Sequence, residues 1–195
     1  MFTGIIEAVG RITKVEPRDQ GVRLTVASDK LDFSDVAIGD SIAANGVCLT
    51  VIALAGKAYT VDVSQETLNC TVGLDAPGEV NLEKAMRMSD RLGGHLVSGH
   101  VDGVGEVAKF EPVGESHLLQ IRAPKELARY IAAKGSMTIN GVSLTVNDIC
   151  DGVFSVNLIP HTLEVTTLKH LKPGSRVNLE VDMLARYVDR LLHPE

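Results

Sequence analysis

The sequence predicts an all-β protein with two small β-barrels in tandem and one C-terminal α-helix. The chain of 195 residues repeats itself at an offset of 95 positions, most plainly as NGVCLTV at 45–51 and NGVSLTV at 140–146. Each copy holds several short β-type segments separated by glycine and proline, a pattern typical of small closed barrels. Residues 182–195 carry apolar side chains at helical spacing instead.

The repeat covers most of the chain. Thr-Gly at 3–4 corresponds to Ser-Gly at 98–99, and VNLE occurs at 80–83 and again at 177–180, where small insertions have lengthened the offset. A period this long indicates duplicated domains and not a solenoid. We therefore expect an N-terminal barrel over 1–96, a C-terminal barrel over 97–185, a helix from about 183, and the end of that helix over 186–195.

Each half supplies matching strand segments. The first half contains RLTVAS, CLTVIAL, AYTVDVS and EVNLE, and the second contains LLQIRA, SLTVNDI, VFSVNLI and RVNLE at equivalent places. CLTVIAL and SLTVNDI each follow an Asn-Gly pair, which is the signal of a strand that leaves a tight turn. We expect these segments to form the strands of the two barrels.

Helical segments are few. KELARYIAAKG, which follows Pro124 and ends at Gly135, is expected to form a helix in the second half. Its first-half counterpart, KLDFSDVAIGD, fits a helix less well. The terminal segment places one set of apolar residues on a single helical face: Met183, Leu184, Tyr187, Val188, Leu191 and Leu192. Either a barrel or copies of the same helix in an oligomer must cover that face.

Composition restricts the function classes. The formal net charge is -6 and aromatic residues make up only 4% of the chain, with no tryptophan. Acidic charge repels phosphate backbones, and single strands need aromatic stacking platforms, so a nucleic-acid-binding pair of barrels is not expected. Neither a signal peptide nor a membrane span is indicated. Three cysteines without a CxxC pair indicate neither disulfides nor zinc, so we expect a cytoplasmic protein.

Polar positions of the repeat indicate two related pockets. Thr50 and Thr145 occupy equivalent strand positions, as do Thr67 and Thr162, although any β-branched residue would suit a strand. Other equivalent pairs differ: Cys48 and Ser143, Ile5 and His100, Gly39 and Lys134, Asp62 and Asn157, Ser64 and Ile159, Glu66 and His161. Pockets with unequal chemical roles would diverge in this way.

Four motifs in order resemble the riboflavin synthase family of the alpha type. They are MFTGIIE at the start, NGVCLTV, GGHLVSGHVDG at 93–103, and NGVSLTV. The resemblance covers nearly the whole chain, including the terminal helix. It implies two six-stranded antiparallel Greek-key barrels and a homotrimer in which three C-terminal helices associate.

The resemblance also implies a transferase activity that needs no cofactor or metal. Each barrel would bind one 6,7-dimethyl-8-ribityllumazine, so that two substrate molecules meet between the N-terminal barrel of one subunit and the C-terminal barrel of its neighbour. A four-carbon unit would pass between them, giving riboflavin and 5-amino-6-(D-ribitylamino)uracil in the last step of riboflavin biosynthesis. Lumazine synthase is an implied partner. The alternative is a non-catalytic lumazine- or flavin-carrying protein of the same superfamily.

Matching the family pattern residue by residue gives two substrate-binding sets. The first-half set is Gly4, Ile5, Ile6, Cys48, Leu49, Thr50, Asp62, Val63, Ser64, Gln65, Glu66 and Thr67. The second-half set is Gly99, His100, Val101, Lys134, Ser143, Leu144, Thr145, Asn157, Leu158, Ile159, Pro160, His161 and Thr162. His161 departs from the Glu of some relatives, so no role is carried over to it.

The candidate catalytic residues are Cys48, His100, Asp182 and Ser143. Cys48 would act as a nucleophile or proton relay, although a free cysteine is more often a small buried residue. His100 is an acid–base candidate because imidazole titrates near neutrality. Asp182 would begin the terminal helix and also supply a functional carboxylate. Ser143 lacks the reactivity of a thiol, and the nearby His95 is interpreted as structural.

Overall fold

The N-terminal half forms a closed barrel of six antiparallel strands in the computed structural model, which describes residues 1–193. The strands are β1 (Ala8–Arg18), β2 (Gly21–Ala27), β3 (Ser41–Ala44), β4 (Val47–Ala55), β5 (Ala58–Ser64) and β6 (Gly78–Lys84). Their order around the barrel is β1-β2-β5-β4-β3-β6, and pairing of β6 with β1 closes it. This Greek-key order removes the free edges that an open sheet would leave.

The C-terminal half repeats this topology. Its strands are β7 (Gly103–Val113), β8 (Ser116–Arg122), β9 (Ser136–Ile139), β10 (Val142–Cys150), β11 (Val153–Leu158) and β12 (Arg176–Val181). Even the register breaks recur, since β1 shifts between Ile12 and Lys14 and β7 shifts between Val107 and Lys109. The predicted fold class of two six-stranded barrels is therefore confirmed.

Each barrel encloses its own aliphatic core. In β5, Tyr59, Val61 and Val63 are buried while Asp62 and Ser64 are exposed, the alternation expected of a strand with one face inside. The other strands contribute mainly Val, Ile and Leu to two separate clusters, one per barrel. Full burial of such a side chain stabilises the fold by about 1.5–3 kcal/mol, so the low aromatic content does not prevent a stable core.

The two Asn-Gly turns bring the barrels together. Asn45 and Gly46 both have positive φ, at 48° and 80°, and Asn140 and Gly141 have 48° and 81°. Positive φ at both central residues is what a type I′ hairpin turn requires. A Cβ on Gly46 would lie 2.8 Å from the backbone nitrogen of Gly141, and the reverse holds as well. The turns therefore pack backbone against backbone across the barrel interface.

Four buried asparagines hold these turns in place. Asn81 Nδ2 donates to the Asn140 carbonyl at 3.0 Å, and Asn178 Nδ2 donates to the Asn45 carbonyl at 3.1 Å. Within each barrel, Asn45 Oδ1 accepts from the Asn81 amide and Asn140 Oδ1 accepts from the Asn178 amide. Because every bond has a counterpart at the equivalent position, the barrels meet with approximate twofold symmetry.

The helices differ in part from expectation. The predicted helix from 125 to 135 is wrong in length, since α2 spans only Lys125–Ala128. The chain instead turns toward β10, where the Lys134 amide donates to Val146 and Lys134 adopts a φ of 67°, outside the helical region. KLDFSDVAIGD forms turns and bends. Two helices were not expected: α1 (Gln65–Cys70) follows β5 directly, and α3 (Pro160–Val165) follows β11 after one residue. A 3-10 helix spans Thr167–His170.

The C-terminal helix α4 (Met183–Leu192) is present, with Asp182 Oδ1 capping its first turn by accepting from the Leu184 amide at 2.9 Å. Its polar side lies on the C-terminal barrel, where Asp189 accepts from Tyr130 Oη at 3.0 Å and from Arg129. Its apolar stripe stays exposed: Leu184 62%, Tyr187 66%, Val188 53%, Leu191 80% and Leu192 70%. Neither barrel therefore covers the stripe. Pro194 and Glu195, predicted to end the terminal segment, lie outside the described residues.

No helix within residues 1–193 combines the length and apolar character needed to cross a membrane.

Asn178→Ala should weaken the barrel interface. Besides its bond to Asn45, the Asn178 side chain accepts from the Val72 amide at 2.8 Å and donates to the Val72 carbonyl. A buried polar group left unpaired costs about 1–3 kcal/mol, so we expect the free energy of unfolding to fall by about 3 kcal/mol. Urea unfolding at one fixed protein concentration measures this. The exposed Asn69→Ala is the control and should change stability by less than about 0.5 kcal/mol; equal effects would contradict the prediction.

Candidate active site

Two leading segments, residues 2–6 before β1 and residues 97–101 before β7, each lie against the opposite barrel. The Ser143 amide on β10 donates to the Gly4 carbonyl at 2.8 Å, and the Cys48 amide on β4 donates to the Gly99 carbonyl at 2.8 Å. The repeat offset groups each leading segment with strands of its own half. The structure corrects that grouping, because it places each one beside the equivalent strand of the other half.

Apolar packing follows the same crosswise pattern. Ile6 of the first leading segment packs against the core cluster of the C-terminal barrel, and Val101 of the second packs against that of the N-terminal barrel. Phe2 and Val97 pair as an isolated antiparallel bridge, so the two segments also contact each other. Phe2 is fully buried. Each candidate pocket is thus completed by residues from both halves of the chain.

A buried glutamate from each VNLE motif anchors a leading segment. Glu83 Oε1 accepts from the Thr3 amide and hydroxyl, both at 2.7 Å, and its Oε2 accepts from the next amide at 3.0 Å. Glu180 Oε1 accepts from the Ser98 amide at 2.7 Å and its hydroxyl at 2.6 Å, and its Oε2 accepts from the next amide at 2.9 Å. Burial raises the pKa of both carboxyls, and the donated hydrogen bonds oppose that shift.

Glycine is required where each segment crosses the facing strand. Gly4 has φ of 76°, and a Cβ there would lie 2.6 Å from the Ser143 Cβ. Gly99 has φ of 78°, and a Cβ there would lie 2.8 Å from the Cys48 Cβ. Both the backbone conformation and the space exclude other residues. The Thr-Gly and Ser-Gly repeats therefore mark the points at which the segments touch Ser143 and Cys48.

The N-terminal barrel presents the thiol. Cys48 is half-buried, and its sulfur makes no hydrogen bond within the part of the chain that the structure describes. His100 follows Gly99 directly, so the crossing brings a histidine-bearing segment to Cys48. Burial raises the pKa of the half-buried Asp102 carboxyl, and the charge of the exposed His100 lowers it. The backbone contact thus places the segment that carries His100 beside Cys48.

The C-terminal barrel presents the hydroxyl, and it adds a partner that sequence reasoning missed. Ser143 Oγ lies 2.7 Å from Nδ1 of His95, whose side chain is buried with the residue only 8% exposed. Burial lowers the pKa of His95, while the Asp182 carboxylate acts in the opposite direction. Gly94 makes room for this contact, since a Cβ on Gly94 would lie 2.1 Å from the Thr3 carbonyl oxygen and 2.9 Å from Ser143 Oγ.

The remaining predicted residues lie on strands or at strand–helix junctions. Leu49 and Thr50 lie on β4, and Leu144 and Thr145 lie on β10, whereas residues 62–67 and 157–162 run from the ends of β5 and β11 into α1 and α3. Some are already engaged: Asp62 forms a bidentate pair with Arg23, which holds the pKa of that carboxyl below its usual range, and Ser64 caps α1. No hydrogen bond among residues 1–193 joins Lys134 or Asp182 to the Ser143 or Cys48 clusters.

The two clusters offer different chemistry. One has the Cys48 thiol, whose backbone bonds to the residue before the exposed His100, and the other has a hydroxyl that contacts a buried imidazole. No three His, Cys, Asp or Glu side chains are grouped to hold a metal ion anywhere in residues 1–193. The described groups are therefore suited to proton transfer and nucleophilic addition.

Glu180→Gln should release the second leading segment from Cys48. A glutamine cannot accept hydrogen bonds at both side-chain termini, so one terminus would face the Gly99 amide as a second donor. Because a hydrogen bond to a charged group contributes about 1.5–3 kcal/mol, we expect alkylation of the Cys48 thiol to become about tenfold faster or more.

Glu83→Gln is the matched control, since it disturbs the segment beside Ser143 and should leave the alkylation rate of Cys48 unchanged. Peptide mapping by mass spectrometry separates this thiol from the exposed Cys70 and Cys150. Equal acceleration of Cys48 by both variants would contradict the crosswise arrangement.

Comparison with known proteins agrees with the duplicated architecture. The family model described as the lumazine binding domain matches residues 3–85 and again residues 98–182. The chain is 48% identical over 194 residues to riboflavin synthase of Photobacterium phosphoreum, covering 98% of this chain and 89% of the relative. It is 46% identical over 198 residues to riboflavin synthase of Mycobacterium tuberculosis, covering 98% of each.

Solved structures give the same result. The crystal structure of LumP complexed with 6,7-dimethyl-8-(1'-D-ribityl) lumazine has a TM-score of 0.82 and 29% identity, covering 93% of this chain and 99% of that one. LumP complexed with riboflavin has a TM-score of 0.83 and 30% identity at the same coverage. Two matched domains and near-full-length identity above 40% establish that the chain belongs to the riboflavin synthase family, which is built on a duplicated lumazine-binding domain.

Proposed function

We propose that this protein is a riboflavin synthase, a transferase that converts two molecules of 6,7-dimethyl-8-ribityllumazine into riboflavin and 5-amino-6-(D-ribitylamino)uracil. One observation carries the proposal: two matching lumazine-binding barrels present different reactive groups, Cys48 and Ser143, at the same position. A pigment carrier has no need of unequal groups, whereas a dismutation must turn identical molecules into a donor and an acceptor. Relatives at 42–48% identity over nearly the whole chain are riboflavin synthases.

The reaction depends more on the positioning of the two substrate molecules than on a strong base or nucleophile. An electron-poor lumazine ring has an acidic 7-methyl group, so a modest base can remove its proton, and the second ring must be attacked by a nucleophile to accept the four-carbon unit. Holding two reactants in register can lower the barrier by about 7–11 kcal/mol. The residues matched to the family pattern are our proposed contacts, with residues 4–6 regrouped beside Ser143 and residues 99–101 beside Cys48. Cys48, His100, Ser143 and Asp182 are the proposed acid–base and nucleophilic groups.

We further propose a homotrimer with active sites shared between subunits. The polar side of α4 is occupied by the C-terminal barrel, and its five large apolar residues are each more than half exposed. Three such stripes would cover one another and would bring the N-terminal barrel of one subunit to the C-terminal barrel of the next. Cytoplasmic localisation and association with lumazine synthase stay predictions, which fractionation and co-purification would test.

The alternative function is a non-catalytic carrier of lumazine or flavin. LumP, whose structures hold 6,7-dimethyl-8-(1'-D-ribityl) lumazine, riboflavin and flavin mononucleotide, has the same architecture at 29–30% identity. The higher identity to riboflavin synthases, together with Cys48 and the Ser143–His95 pair, favours the enzyme.

Purified protein should convert the substrate without any additive. We expect incubation with 6,7-dimethyl-8-ribityllumazine to produce riboflavin absorbance, with two lumazine molecules consumed for each riboflavin formed. Chromatography of the reaction mixture measures both. A protein that binds the lumazine stoichiometrically but releases it unchanged would be a carrier, and the enzyme proposal would then be rejected.

Val188→Lys should separate the subunits and abolish shared-site catalysis. Val188 lies on the apolar stripe of α4 and is 53% exposed in the single chain. A charge there would have to be buried in the trimer, so we expect sedimentation to show smaller species and turnover to fall at least about tenfold. Val113→Lys, a β7 residue that is also 53% exposed, is the matched control and should change neither. A dissociated Val188→Lys with full activity would show that the site lies within one subunit.

A further inference from the structure

The buried His95 makes a specific contact with the hydroxyl of Ser143. Its Nδ1 lies 2.7 Å from Ser143 Oγ, and the two residues come from different elements, the loop before the second leading segment and strand β10. Ser143 is only half-buried, so its oxygen can reach a ligand while the imidazole behind it stays enclosed. The His95 ring therefore contacts the Ser143 hydroxyl from its buried side.

The surroundings of His95 suit a proton acceptor. Burial disfavours the charged imidazolium, which keeps the ring neutral at rest, and the carboxylate of Asp182 acts in the opposite direction by favouring the protonated form. The Nε2 atom is buried and makes no hydrogen bond within residues 1–193. If the ring proton sits on Nε2, the lone pair of Nδ1 faces the serine hydroxyl and can accept its proton.

The equivalent position in the other barrel differs. Cys48 has no hydrogen-bond partner for its sulfur within the described chain, and a thiol needs little help because its reference pKa is about 8.5. A serine hydroxyl is far less acidic and needs an adjacent base to act in catalysis. The imidazole of His95 thus lies beside the Ser143 hydroxyl, which is a weaker acid than the Cys48 thiol.

We propose that His95 is a positioning residue that acts through Ser143, making the hydroxyl of the C-terminal barrel a proton relay. This inference rests on the proposed function and assigns part of its proton route. The C–H bond of the lumazine 7-methyl group breaks, and its electron pair stays in the conjugated ring. The proton passes to Ser143 Oγ while the original hydroxyl proton passes to His95 Nδ1. The imidazolium so formed is stabilised by Asp182, and the reverse transfer restores both groups.

The His95→Asn variant distinguishes a role of His95 as a base from a role as a hydrogen-bond acceptor only. The asparagine Oδ1 can accept from the Ser143 hydroxyl in place of Nδ1, but it cannot hold a proton at neutral pH. Removal of a general base lowers rates by about 10²–10⁴-fold, so we expect kcat to fall about 100-fold or more with KM nearly unchanged. His170→Asn, an exposed histidine that pairs with Glu79, is the matched control and should keep the wild-type kcat.

A double-mutant cycle tests whether His95 acts through Ser143. If it does, the variant with both His95→Asn and Ser143→Ala should be no slower than Ser143→Ala alone. A double variant slowed by the product of the two single effects would overturn the relay, and so would a His95→Asn enzyme with wild-type kcat.

A measurement that needs no turnover keeps the inference separate from the proposed function. Nitrogen NMR of labelled wild-type protein should show a neutral His95 with its proton on Nε2, and Ser143→Ala should shift the Nδ1 resonance. A proton on Nδ1, or a charged ring at neutral pH, would overturn the relay even if His95→Asn fails to fold. Absence of riboflavin formation by the wild-type protein, with the expected NMR result, would instead reject the proposed function alone.

Discussion

The site depends on two buried carboxylates that hold the leading segments across the barrel interface. Each glutamate sits at the end of a VNLE strand and receives three hydrogen bonds from a segment that would otherwise have unpaired backbone amides. A buried charge is costly unless it is bonded in this way, so the interaction tolerates few alternative arrangements. Because Glu83 and Glu180 fix where the glycines cross, they also fix which residues meet Ser143 and Cys48.

The two barrels share the same scaffold residues but differ in the side chains at the candidate site. The asparagines, the Asn-Gly turns and the anchoring glutamates are identical in both halves, and each makes the equivalent bond. Positions 48 and 143 are not identical, since a thiol in one barrel corresponds to a hydroxyl with a buried imidazole in the other. Equal backbone geometry thus coexists with different side-chain chemistry at equivalent positions.

Much of this could be predicted from the sequence, and the failures have physical causes. The repeat, the Asn-Gly turns and the strand alternation are local patterns, so the barrels and the terminal helix were predictable. The crossing of the leading segments was not, because an offset shows which residues are equivalent but not which half they pack against. The helix after Pro124 is shorter than its composition suggests, since backbone bonds from Lys134 to β10 compete with it.

The pairing of His95 with Ser143 was also out of reach for sequence reasoning. The two residues are 48 positions apart and share no periodic pattern, and a histidine in a glycine-rich loop is usually explained by the loop itself. Only the close approach of Gly94 to Thr3 and Ser143 brings the ring to the hydroxyl. Tertiary contacts of this kind carry no local signature.

Helix α4 connects an exposed apolar surface to the surroundings of the candidate site. Its cap, Asp182, acts electrostatically on His95, and its second turn places Arg186 2.6 Å from the half-buried Asp102. The opposite side of the same helix is apolar and exposed. Because one helix carries both contacts, any displacement of α4 would change the surroundings of His95 and the ion pair of Asp102 together.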